Sequence, residues 1–78
     1  MKFETNASSW REVLAREVAF QRKRNSLSTR EAEKQSGVPH STISKVEKML
    51  HVPQMRTVEA LVSWLGMEIQ IVRKRDGE

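Results

Sequence analysis

Two helical stretches meet at Gly37-Val38-Pro39, and this junction limits the fold more than any other feature. The first opens at Ser28-Thr29-Arg30-Glu31. Ser28 is placed to accept from the backbone N–H of Glu31, whose carboxylate reaches back to the Ser28 backbone. Gly37 ends that helix after about two turns, because glycine takes the left-handed conformation a tight turn requires. Proline cannot continue a helix but can open one, so Pro39 starts the second, predicted over about 40–49. Ile43, Val46, Glu47 and Leu50 fall on one face of it. Ser41, Ser44, Lys45 and Lys48 fall on the opposite one, at i, i+3, i+4 and i+7. That face is polar, rich in donors and short at its start, so it can approach a flat partner closely.

Helical periodicity also flanks the pair. Trp10, Val13, Leu14 and Val18 predict a helix over about 10–24, with Ser8 or Ser9 as cap and Glu12 three residues after Ser9. A fourth helix is expected over about 55–65, with Val58, Leu61, Val62 and Leu65 inward and Gly66 as terminator. Met49, Met55 and Met67 read as core filler. Beyond Gly66 the period changes: Met67, Ile69 and Ile71 alternate with Glu68 and Gln70, which predicts a strand over about 67–74. A lone strand has unpaired donors and acceptors. It pairs with Lys2-Phe3-Glu4-Thr5, or with its own copy across a twofold axis, or else the segment is a frayed tail or a helix extension. The symmetric pairing is preferred, because it also completes a small core.

The 78 residues are expected to form one domain. A chain this short buries only about 60–65% of its unfolded surface, and association is one remedy. There is no cysteine, so disulfides and thiolate metal sites are excluded. His40 and His51 lack clustered partners, so neither metal nor cofactor is expected. A net charge of +4 suits a polyanion. No apolar run approaches the roughly 20 residues of a membrane span. The first residues lack the apolar stretch of a secretory signal, so the expected compartment is the cytosol, with access to the nucleoid. Catalysis is not expected: the only aspartate is Asp76, and there is no phosphate-binding glycine loop.

Two short helices joined by a tight glycine turn make a helix-turn-helix, whose second helix presents its exposed face to base edges. Leu27-Ser28-Thr29-Arg30-Glu31-Ala32 and Ser36-Gly37-Val38-Pro39-His40-Ser41-Thr42-Ile43-Ser44-Lys45-Val46-Glu47 resemble the lambda-repressor-like, or xenobiotic-response-element, family. The resemblance covers about 18–65 and implies an all-α fold of four to five helices. It also implies dimeric binding of double-stranded DNA to regulate transcription, with the phage Cro and repressor type as the nearest size class. The family's base-contacting positions correspond to His40, Ser41, Thr42, Ser44 and Lys45. Its phosphate contacts correspond to Thr29, with Lys48, Arg56 and Arg24 as flanking cations. An arginine late in the first helix pairs with the glutamate ending the recognition helix, which here implies a structural pair of Arg22 and Glu47.

Three positions depart from the pattern. Glu33 stands where a small alanine is usual and must tilt outward or find a partner. Ser36 replaces an apolar core residue. Pro39 replaces a serine cap, so His40 or Ser41 is expected to cap. The ending Trp64-Leu65-Gly66-Met67-Glu68-Ile69-Gln70-Ile71-Val72 resembles the strand of HipB-type antitoxins, which pair across a dimer through the positions of Met67, Ile69 and Ile71. A toxin or other protein is therefore an alternative partner, and an interaction module that kept the fold without strong DNA contacts is a further alternative.

Overall fold

The computed structural model describes residues 2–3 and 10–70. Their order is β1 (Lys2–Phe3), α1 (Trp10–Arg24), α2 (Thr29–Ser36), α3 (His40–Glu47), α4 (Met55–Trp64) and β2 (Glu68–Ile69). The fold is all-α, with four helices among the described residues. Ser8, Ser9, Ile71 and the rest of the expected strand lie outside the described residues.

Every helix contributes to one core. Leu14 and Val18 come from α1, Ala32 from α2, Ile43 and Val46 from α3, and Val58, Leu61 and Val62 from α4. Val38 adds the turn itself, and Trp10, Ala60, Trp64, Leu65 and Met67 pack around the edge. Both α1 and α2 pack on α3, so α3 is gripped from behind and its opposite face is left outward.

Four left-handed residues end the four helices: Ser26, Gly37, Met49 and Gly66. After α1, the Leu27 N–H donates to Arg22 O at 2.9 Å, and the Ser26 N–H to Lys23 O. After α3, the Leu50 N–H donates to Lys45 O and the Met49 N–H to Val46 O. Gly66 repeats this closure, with Met67 N–H donating to Val62 O. These are Schellman closures, which satisfy carbonyls that a helix end leaves free. Gly37 uses a single bond, its N–H donating to Glu33 O at 2.8 Å.

The left-handed Met49 accounts for three departures from expectation. It stops α3 at Glu47, two residues early. Leu50 therefore never returns to the core face and is 67% exposed. Met49 and Met55 are exposed as well and fill no core, whereas Met67 packs against it. The cap of α3 also differs from expectation. Pro39 itself caps, with no side-chain cap bond, because its φ of −53° already points the chain into a helix and its carbonyl accepts from Ile43 N–H. Neither His40 nor Ser41 is spent on capping.

β2 pairs in parallel with β1, Lys2 opposite Glu68 and Phe3 opposite Ile69. Parallel pairing needs a long crossover, and the four helices supply it. At Glu68–Ile69, one edge of the strand expected to meet a second copy is thus filled from within the chain, through the less favoured of the two partners considered. A symmetric pairing has only the outer edge available.

Candidate nucleic-acid interface

The interface is built on the frame that holds α2 and α3. Ser28 Oγ accepts from the Glu31 N–H at 3.1 Å, and Glu31 Oε1 accepts from the Ser28 N–H at 2.9 Å. The Ser28 N–H bond to the carboxylate, helped by the nearby Ser28 hydroxyl, favours the ionised form, so Glu31 is held below the usual carboxylate range. Ser36, where an apolar residue was expected, solves its own burial. Its hydroxyl donates to Ala32 O at 2.8 Å and accepts from the Val38 N–H at 3.1 Å, so it fastens the last turn of α2 to the start of the connection.

A second fastening holds the far end of α3. Arg22 meets Glu47 as a fork, Nε to Oε2 and Nη2 to Oε1, each at 2.8 Å. Its third arm donates to Leu27 O at 3.1 Å. One guanidinium thereby ties α1, the α1–α2 connection and α3. The Glu47 hydrogen bonds raise the Arg22 pKa against the opposing effect of burial. Arg11 Nη2 donates to Met49 O, placing a cation at the C-terminal end of α3, where it suits the helix dipole. Trp64 Nε1 donates to Gln35 Oε1 at 3.0 Å and joins α4 to α2.

On this frame Ser41, Lys45 and Lys48 stand exposed and Ser44 half-buried along one outward face of α3. Thr42 goes elsewhere. It lines a groove of about 600 Å³ between the α2–α3 turn and the start of α4, with Pro39, His51, Arg56 and Thr57 among its walls. His40, at the start of α3, is tied back to α2: its Nδ1 lies 2.9 Å from Glu33 Oε1. The out-of-pattern Glu33 has found a partner, and hydrogen bonding to His40 is the first cause holding its carboxyl below the usual range. Of the flanking residues, Thr29 is half-buried in the first turn of α2, while Arg24 ends α1, Lys48 follows α3 and Arg56 lies in the first turn of α4, all exposed. Among the described residues, no three His, Asp or Glu side chains converge as metal ligands, and no helix is long and apolar enough to cross a membrane.

Sequence reasoning missed the Glu33–His40 contact, the Thr42 groove and the Trp64–Gln35 bond. Only the first had a signal: a carboxylate in a small-residue position, one turn before Gly37 and seven residues before a histidine.

A family model described as helix-turn-helix domain matches residues 13–73, from the first turn of α1 to beyond β2. The chain belongs to the helix-turn-helix domain family. No curated protein and no solved structure matches it. As a helix-turn-helix domain it has α2 as its first helix, Gly37-Val38-Pro39 as its turn and α3 as its second. DNA is the partner such a domain suggests.

Proposed function

We propose that the chain is a sequence-specific regulator of transcription that binds double-stranded DNA as a homodimer through α3, most simply as a repressor. One observation carries this reading: the Ser41, Ser44, Lys45 and Lys48 face of α3 is turned outward on a frame that holds both ends of the helix. Short hydroxyl side chains let the helix sit deep in a major groove about 12 Å wide. Lys45 is long enough to donate to guanine O6 or N7, and Ser41 and Ser44 serve either base edges or phosphate. Thr42 and Arg56, which line one groove, suit a backbone phosphate, as do Lys48, Arg24 and Thr29 at the ends of their helices. A twofold pair would place two α3 helices about 34 Å apart, one turn of DNA. The setting is that of a xenobiotic-response-element regulator of Cro size, inside the cell with the nucleoid.

A second reading is a protein-binding module, either an antitoxin that also represses its own operon or a domain without strong DNA contacts. It is favoured by Leu50, Val52 and Met55, which expose 60–67% of their surface in and just after the α3–α4 connection. Selecting bound duplexes from a random pool separates the two. The DNA reading requires enrichment of a pseudo-palindrome with half-sites one helical turn apart. The protein-binding reading requires no enriched sequence and co-purification with a protein partner.

A further inference from the structure

Glu33 sits near the end of α2 and His40 opens α3, and the turn brings Glu33 Oε1 to 2.9 Å from His40 Nδ1. The Glu33 carboxyl is held below its ordinary range, so near neutral pH it is ionised and can only accept. The proton in the bond therefore belongs to Nδ1. A neutral imidazole has one N–H and one lone pair, which leaves the lone pair on Nε2. The two ring nitrogens point in divergent directions, so Nε2 faces away from the carboxylate. The His40 side chain remains 38% exposed, at the first residue of the helix proposed to enter the groove. Because Pro39 caps α3 without a side-chain bond, His40 has no competing task there. Arg30 is the other charge that acts on Glu33, and it favours the ionised form.

We propose that Glu33 fixes the tautomer of His40 so that Nε2 reads one base in the major groove as a hydrogen-bond acceptor, selecting the amino group of cytosine or adenine. This rests on the DNA-binding reading above and adds to it the polarity of one contact. Cytosine N4 and adenine N6 are donors in the major groove, whereas guanine offers O6 and N7 and thymine offers O4 and a methyl group. An unanchored neutral imidazole can present either a donor or an acceptor and so distinguishes the two classes poorly. Glu33 is thus a positioning residue, and His40 determines specificity.

Two measurements test this. In the DNA-free protein at pH 8, the nitrogen-15 correlation pattern of the His40 ring should show the proton on Nδ1. In Glu33→Ala it should shift toward the Nε2–H form that free imidazole prefers. Alanine is the best helix former, so that variant keeps α2. In duplex selection, the wild type should favour cytosine or adenine at one position of each half-site by roughly three- to tenfold, the worth of one neutral hydrogen bond. Glu33→Ala and His40→Ala should each abolish that preference and leave other positions unchanged, and the double variant should lose no more than either. A wild-type ring protonated on Nε2, a preference for guanine or thymine at that position, or a preference unaltered in Glu33→Ala overturns the proposal. If the wild type selects no sequence at all, the DNA-binding reading falls and this inference with it, and the wild-type selection alone reveals that case.

Discussion

Lys45 has the longest reach on the outward face within His40–Glu47, and no side chain of the described residues engages its ammonium in an ion pair. Its replacement by alanine should cost roughly 1–3 kcal/mol of operator binding and relax the preference at one position, measured by titrating selected and scrambled duplexes. An equal loss on both duplexes would make it a phosphate contact instead. Glu31 yields a prediction about pH. Its folded-state pKa lies below the ordinary 4.5, so its ionised contact stabilises the fold fully above that value. The contribution is lost as pH falls through the lower folded value. Glu31→Gln keeps an acceptor but cannot ionise. The wild type should therefore be the more stable of the two at pH 6, with the difference shrinking as pH falls through the lower folded value, followed by denaturant unfolding. A difference independent of pH would show that the charge is not what matters. Residue-scale features were unevenly legible. The Ser28–Glu31 box could be read because its partners lie three apart in sequence. The Glu33 partner could not, because it depends on the angle at which α3 leaves the turn.

α1, α3 and α4 were legible in sequence because their apolar positions recur at helical intervals, and α2 because Ser28 opens it and Gly37 ends it. The end of α3 was not, because its terminator is Met49 at φ 55° and not a glycine. Propensity alone runs the helix on through such a residue, and tertiary closure stops it. The left-handed C-terminal residues predict stability effects of opposite sign. Ser26 is exposed, at φ 54°. Ser26→Gly should stabilise the fold by about 0.5–1 kcal/mol, because an L side chain in that conformation carries a cost that glycine lacks. Gly37→Ala should destabilise it by about 1–2 kcal/mol. A Cβ there would meet nothing within 4 Å, so the whole effect would be backbone strain and not a clash. Thermal unfolding of the two variants checks both, and a stabilising Gly37→Ala would mean that the turn does not need its left-handed residue.

As a whole molecule the protein is a small core with one outward helix and an excess of positive charge. If the dimer neutralises about 6–8 phosphates, log K against log salt should slope near −5 to −7. A slope near −2 would leave most of Arg24, Lys48 and Arg56 off the backbone. The architecture could be read because α1, α3 and α4 each declare an inward face, and caps and the family pattern place α2 between them. The pairing of β2 could not, since alternation over about 67–74 marks a strand but does not say whether β1 or a second copy meets its edge. The central claim is that the outward face of α3 enters the groove. Backbone amide shifts measured while a selected operator duplex is added test it most directly. The account predicts the largest changes from His40 to Lys48, with smaller ones at Thr29 and Arg56. Changes confined to α4 and β2, with α3 unmoved, would contradict it.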